Sequence, residues 1–318
     1  MIRISHKVAF CAAMAFLALW WVVPTARSLA GGQDAIITTN PGPGDQQIRS
    51  LIARAVENQH KNDQAIEEFE RIEHVVTRKP GENSGTPTDR TDRILFSGTG
   101  TMKLHVAENG SPVSQDMYRS ELRYAVDALN LAIHPNERYK QDLVKFEKRR
   151  RDEAEFVDTA SKAFRMTWAG RETRPDPSAP GGSRTLDKFL LEPDPNYKPT
   201  NRLAVTFEHV RATLWVDEAQ AQFARLEGDI TSDITFVGGI AGKIYHGGHF
   251  VMEQSEVAPG VWLPTLYTYD VDGRKFLFGF GVHERTEVTH YRRVGPPEQA
   301  IEVIRNELNN PVAQIPRQ

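Results

Sequence analysis

Apolar and polar residues alternate through most of residues 203–294. Six segments there are rich in β-branched and aromatic residues, and short runs containing glycine, aspartate, proline or asparagine separate them. These segments are 207–217, 220–227, 232–237, 241–254, 261–270 and 275–294. Because the connections are too short to hold crossover helices, the pattern predicts one antiparallel sheet.

The alternation in the last segment predicts an apolar stripe on one face of that sheet. The stripe consists of Phe276, Phe278, Phe280 and Val282. Side chains two residues apart in a strand point to the same face, so all four share a face. Gly279 and Gly281 lie between them, leave the opposite face nearly bare and allow the sheet to bend.

Spacings of three and four between apolar residues predict helices outside these segments. The first begins at Asp45 and ends near Gln59, the second covers 136–160, and a more polar third covers about 298–308. The second helix carries a basic cluster, but acidic residues follow it at once, which favours a solvated, ion-paired surface.

Three shorter stretches are also informative. Residues 65–78 suit either a helix or a strand, and we favour a strand. Residues 171–184 are rich in proline and glycine and are predicted to form a surface loop. The pair Asn109-Gly110 ends an alternating segment and predicts a hairpin turn.

These elements predict an α+β fold, a curved antiparallel β half-barrel with two or three helices covering its concave face. We expect one half-barrel domain over residues 45–294. A flexible leader over 31–44 precedes this domain, and a C-terminal helix and tail over 295–318 follow it.

Residues 1–30 have the features of a secretory signal peptide. A short basic segment precedes sixteen uncharged residues at 8–23, and the small residues Ser28 and Ala30 precede Gly31. The alternative is an uncleaved anchor, although a membrane span needs ~20 apolar residues. We therefore expect a periplasmic or otherwise exported protein, cleaved near Ala30.

Charge and cysteine content narrow the class of partner. The chain carries 39 basic and 42 acidic residues, and cleavage would remove only basic ones, so we expect no attraction to nucleic acid. Its single cysteine, Cys11, would leave with the signal peptide. An exported chain without disulfides must be held together by its apolar core.

The motifs of common hydrolases do not occur in the sequence. It contains neither Gly-x-Ser-x-Gly nor Ser-x-x-Lys, two motifs that carry the serine nucleophile in common hydrolase families. His283-Glu284 begins like a zinc-protease motif, but position 287 is Glu287. His246 and His249 flank two glycines, so solvated turn residues are favoured over metal ligands. We predict no enzymatic activity, no cofactor and no metal.

Large apolar residues exceed what a thin helix layer would cover, so we expect an apolar slot between helices and sheet. The predicted lining residues are Trp215, Phe236, Phe250, Trp262, Phe276, Phe278, Phe280, Val282, Leu143 and Phe146. An acyl chain fits such a slot because each buried methylene contributes ~0.8 kcal/mol, which needs no polar recognition motif.

The carboxy-terminal half resembles a known superfamily. The matching residues are Leu214-Trp215-Val216-Asp217, Phe223-Ala224-Arg225-Leu226-Glu227, Gly242-Lys243-Ile244, Phe250, Gly260-Val261-Trp262-Leu263-Pro264 and Tyr291-Arg292-Arg293. They are similar to the periplasmic outer-membrane lipoprotein-sorting superfamily, the LolA/LolB-like fold that includes RseB-like envelope-stress sensors. The resemblance implies a half-barrel whose helices hold acyl chains against the concave face.

The favoured hypothesis is an exported, non-enzymatic protein that binds lipid or lipoprotein acyl chains and meets the membrane only peripherally. The alternative is an envelope sensor or interaction module whose slot is filled by its own side chains and whose partner is a protein. A periplasmic hydrolase using His246 or His283 is a third hypothesis, and it requires a carboxylate or a metal beside one of them.

Overall fold

The computed structural model describes residues 43–78, 87–176, 179, 181–199, 204–236, 242–275 and 278–310. The predicted signal peptide and most of the predicted leader lie outside the described residues, as does the predicted lining residue Phe276.

Four helices lie within the described residues: α1 (Asp45–Ala65), α2 (Gln115–Ile133), α3 (Glu137–Ala163) and α4 (Pro297–Asn309). Their starts follow ordinary capping chemistry. The Asn136 side chain accepts a hydrogen bond from the Tyr139 backbone N–H at 2.8 Å, and Ser114 caps α2 in the same way. Helix α1 continues past the predicted end at Gln59, because Gln59 and Asn62 find buried hydrogen-bond partners there.

Thirteen strands form one sheet in the described part of the chain, and every described strand pair is antiparallel, as predicted. The strands are β1 (Phe69–Arg78), β2 (Thr88–Phe96), β3 (Thr101–Glu108), β4 (Ser111–Pro112), β5 (Phe164–Pro175), β6 (Ser183–Pro193), β7 (Val210–Asp217), β8 (Gln222–Ile230), β9 (Ile234–Phe236), β10 (Gly242–Ile244), β11 (His249–Ala258), β12 (Val261–Lys275) and β13 (Phe278–Arg293). Their order is β4-β3-β2-β1-β13-β12-β11-β8-β7-β6-β5, and the β9–β10 hairpin pairs with β12 beside this path.

The sheet is curved and open and is accompanied by helices, so the predicted α+β class is confirmed. The strand favoured at 65–78 is also confirmed as β1, which follows a single 3-10 turn at Ile66–Glu68. The turn predicted at Asn109-Gly110 joins β3 to β4, and both residues have positive φ, 51° and 72°.

The loop predicted over 171–184 is wrong at both of its ends. Strand β5 continues to Pro175 and β6 already begins at Ser183, with Thr173 opposite Thr185. The two threonine hydroxyls lie 3.2 Å apart. Cross-strand pairing therefore outweighs the weak strand propensity of this stretch.

Helices cover both faces of the sheet, which the sequence does not predict. Leu95 and Leu104 pack against α2 and α4, whereas the neighbouring Phe96 packs against Phe146 of α3, with ring centroids 5.4 Å apart. Adjacent strand residues point to opposite faces. We call the face covered by α1 and α3 the inner face, and the face covered by α2 and α4 the outer face.

Candidate functional site

An apolar cavity lies between the inner face and helices α1 and α3. It contains about 860 Å³ of space not filled by atoms, including its open side. Its lining is apolar except for Ser161 and Tyr269, and consists of Ile52, Val56, Phe156, Val157, Ala160, Ser161, Phe164, Met166, Leu191, Phe207, Val210, Ala212, Leu214, Phe223, Leu226, Phe250, Met252 and Tyr269.

The strand register determines which side chains form the floor of the cavity. Leu214 on β7 lies opposite Leu226 on β8, and Leu226 lies opposite Met252 on β11. Directly opposed residues in antiparallel strands share a face, so these three side chains form a row across the inner face. The roof comes from residues one turn apart, such as Ile52 and Val56 on α1.

A glycine shapes one wall of the cavity. Phe250 lies opposite Gly228, and a Cβ atom at Gly228 would lie 2.4 Å from the Phe250 ring. Such a distance is far below van der Waals contact. The absent side chain at Gly228 therefore allows the Phe250 ring to lie flat against β8 instead of projecting into the cavity.

Helix α3 is held at its two ends. Near its start, the Tyr139 hydroxyl donates a hydrogen bond to the Ser97 carbonyl at 3.0 Å. Near its end, the Phe156 ring lies 4.6 Å from the Phe207 ring, centroid to centroid. Between Tyr139 and Phe156 the helix has no fully buried side chain. Helix α3 thus spans the inner face between two anchored ends.

Four polar residues lie next to the lining residues along α1, α3 and β11, and we call this set the polar end: Gln59, Asp63, Glu153 and Gln254. On α1, Gln59 and Asp63 come one and two turns after the lining residue Val56. Glu153 comes one turn before the lining residue Phe156 on α3, and Gln254 comes two positions after the lining residue Met252 on β11. The Gln254 Nε2 donates to the Gln59 Oε1 at 2.9 Å, and the Gln59 Nε2 donates to the Asp63 Oδ1 at 2.8 Å.

Burial raises the pKa values of the acidic groups at the polar end. It raises the pKa of Asp63 to about 6, because a charged carboxylate loses hydration between the helices. The pKa of Glu153 is raised to about 7, first by burial and then by the charge of Asp63. One turn further, burial likewise raises the pKa of Glu67 to about 7, against the opposing charge of Arg150.

Of the described predicted lining residues, Phe250 lines this cavity. Trp215 and Trp262 instead share a buried outer-face cluster with Leu186 and Ala224. The indole N–H of Trp215 donates to Glu172 at 2.8 Å, and three cations lie over its ring. That indole needs a polar partner, which the apolar inner face does not supply at this point.

The described residues of the predicted stripe do not share one environment. Phe280 belongs to a separate cluster with the β9–β10 hairpin, and Phe236 and Val282 pack against that cluster. Phe278 at the start of β13 is 74% exposed. Phe278, Phe280 and Val282 therefore lie outside the cavity lining, and Phe280 packs instead in the cluster that includes the β9–β10 hairpin.

The two residues predicted on the helical lid lie away from the cavity. Leu143 is 37% exposed, and Phe146 packs on Phe96 at the β2–β3 end. The part of α3 that does line the cavity begins at Phe156. Whether any predicted lining residue contacts an acyl chain stays a prediction.

Several lining residues were missed, although a signal for some of them exists in the sequence. Leu214 and Leu226 alternate with Trp215 and Arg225, so period two separates them from their bulky neighbours. Alternation shows which residues share a face but not which face is covered by which helix. The larger aromatic residue is therefore an unreliable guide to the lining.

The histidines of the hydrolase hypothesis do have carboxylates beside them. His246 Nδ1 lies 2.8 Å from Asp233 Oδ1, and His283 Nε2 lies 3.4 Å from Asp272 Oδ1. Hydrogen bonds from Lys243 and His246 hold the pKa of Asp233 well below its usual range. No hydroxyl or thiol hydrogen-bonds to either histidine among the described residues. Three or more metal-ligating side chains do not cluster anywhere in that part of the chain.

None of the helices in the described part of the chain combines the length and apolar character required to span a membrane.

No protein-family model matches the chain, and no curated protein matches it. The fold is similar to two solved structures, each 10% identical in sequence with a TM-score of 0.25. One is a Vibrio parahaemolyticus domain whose name assigns it to outer membrane lipoprotein sorting; the match covers 81% of this chain and 100% of that one. The other is a DUF1329 family protein from Desulfovibrio piger, and that match covers 78% of this chain and 93% of the other.

Proposed function

We propose that this protein is an exported, non-enzymatic binding protein of the cell envelope that holds an acyl chain of a lipid or lipoprotein in the inner-face cavity. The cavity carries the proposal, because its lining is apolar except for Ser161 and Tyr269. A cavity of this composition favours hydrocarbon over any polar ligand. Export rests on the signal-peptide pattern of residues 1–30.

The energetics favour an acyl chain. Burying about ten methylenes at ~0.8 kcal/mol each contributes about 8 kcal/mol, before the cost of ordering the chain. Neither an ion pair nor a catalytic group is required for that affinity. The anchored ends of α3 would keep the roof in place while its middle adjusts to different chains.

Displacement of a fluorescent long-chain alcohol, which carries no charge, from the purified protein tests the proposal. We expect binding by the wild type and loss of most of it in Ala160→Phe, because the new ring occupies the cavity beside α3. The matched control is Ala169→Phe, at an exposed position on β5. Native mass spectrometry after mild extraction should also find a bound lipid. Absence of binding, or equal binding by the wild type and Ala160→Phe, would contradict the proposal.

A further inference from the structure

The polar end has more hydrogen-bond acceptors than donors among the described residues. Gln254 is 5% exposed, yet its Oε1 has no hydrogen-bond partner in that part of the chain. Asp63 accepts one hydrogen bond from Gln59. Within the described ranges, Asp63 forms no ion pair, and Glu153 has neither a hydrogen bond nor an ion pair. The described residues thus leave the buried Gln254 Oε1 without a donor, and they leave the partly buried carboxylates of Asp63 and Glu153 without a cation.

The nearby cations are engaged elsewhere. Arg150 lies 3.6 Å from Glu67 rather than on Glu153. Arg149 donates to a backbone carbonyl in the β2–β3 turn at 3.3 Å, and His60 Nε2 lies 2.9 Å from Asp158. The described side chains around the polar end therefore leave its acceptors unsatisfied. A ligand can supply the missing donors.

We propose that the polar end binds the headgroup of the amphiphile whose tail fills the cavity, and that this headgroup is a primary ammonium. This inference rests on the proposed function. An ammonium group has three N–H donors, which matches the three acceptor groups Asp63, Glu153 and Gln254. Its positive charge forms charge-assisted hydrogen bonds with the two carboxylates.

The raised pKa values of Asp63 and Glu153 support this assignment. Two partly buried carboxyls beside one another lose hydration and repel when both are ionised. A cation bound between them would relieve both effects and lower both pKa values. A carboxylate or phosphate headgroup would increase the repulsion.

Calorimetric titrations of the full chain with dodecylamine, dodecanol and dodecanoate at about pH 7 test the inference. We expect dodecylamine to bind at least about tenfold more tightly than dodecanol, equivalent to about 1.4 kcal/mol. In Asp63→Asn/Glu153→Gln this preference should fall to within about threefold, with dodecanol binding unchanged. The control Glu57→Gln/Glu137→Gln removes the same charge from exposed, lysine-paired positions and should keep the preference.

The outcomes separate the two proposals. Binding of all three probes without preference for the amine, or a preference that survives Asp63→Asn/Glu153→Gln, would contradict the ammonium site and leave the acyl-chain proposal standing. Failure of every probe to bind would contradict both proposals. The amide side chains have the same shape as the carboxyl groups that they replace, and burial already disfavours the ionised form of those groups. We therefore expect Asp63→Asn/Glu153→Gln to fold, and thermal melting checks this.

Discussion

The two faces of the sheet carry helix pairs that pack very differently. On the outer face, Tyr118, Leu122 and Ile304 are completely buried, and helices α2 and α4 fill the layer with apolar side chains. On the inner face, α1 and α3 leave a cavity with an apolar lining. One sheet thus combines a layer that supplies stability with a layer that keeps space. Substitutions that are matched between the two faces can test this difference.

The largest expected effect lies in the outer layer. Arg93 is buried and donates to Glu70 at 2.7 Å and to Glu307 at 2.6 Å. Arg93→Met leaves these carboxylates without that charge, so the free energy of unfolding in urea should fall by about 3–5 kcal/mol. Arg149→Met on the inner side should cost less than about 1 kcal/mol, because the partly exposed Arg149 donates to one carbonyl and lies over the Phe146 ring. Equal losses would show that the layers do not differ.

Alanine-to-phenylalanine changes compare the space available in the two layers. Ala125 on α2 is completely buried, so Ala125→Phe should lower the free energy of unfolding by about 1–3 kcal/mol through overpacking. Ala160 on α3 lines the cavity, and Ala160→Phe should change stability by less than about 1 kcal/mol. Thermal melting of both variants measures the difference. A larger loss in Ala160→Phe would mean that the cavity space is not available to a side chain.

The smallest expected effect is a pH dependence confined to the inner layer. The folded-state pKa values of Asp63 and Glu153 are raised to about 6 and about 7. Folding therefore favours their protonated forms, which stabilises the folded state at low pH. This contribution to the free energy of unfolding is complete below about pH 4 and disappears as the pH rises through 6 to 7. Between about pH 5 and pH 8, the wild type should lose on the order of 1 kcal/mol relative to Asp63→Asn/Glu153→Gln.

Urea titrations at several pH values measure this loss. The control Glu57→Gln/Glu137→Gln, at exposed positions on the same two helices, should follow the wild type. Parallel curves for wild type and Asp63→Asn/Glu153→Gln would show that the two carboxyls retain ordinary pKa values in the folded protein.

The sheet could be predicted because its information is local. Alternation within 261–270 and 275–294 already indicates β12 and β13, and Asn109-Gly110 indicates the β3–β4 turn. Strand β2 and the ends of the β5–β6 hairpin were less evident, since pairing with a neighbour extends them beyond their own propensity.

The lining of the cavity could not be predicted in the same way. Contacts between elements far apart in sequence, such as that of Leu214 with Ile52, determine which face of β7 packs against α1. A register shift beside Trp215 further breaks the simple alternation on β7 and β8. The polar end was missed for the same reason, because Asp63 and Glu153 approach each other only when α1 and α3 pack side by side.

The contact between Gly228 and Phe250 has a consequence for selectivity. Gly228 carries a hydrogen atom where alanine would carry a methyl group, and this allows the Phe250 ring to lie against the cavity wall. An alanine at position 228 would force that ring into the cavity and reduce its volume. Under the proposed function, this one small substitution would shorten the acyl chain that fits.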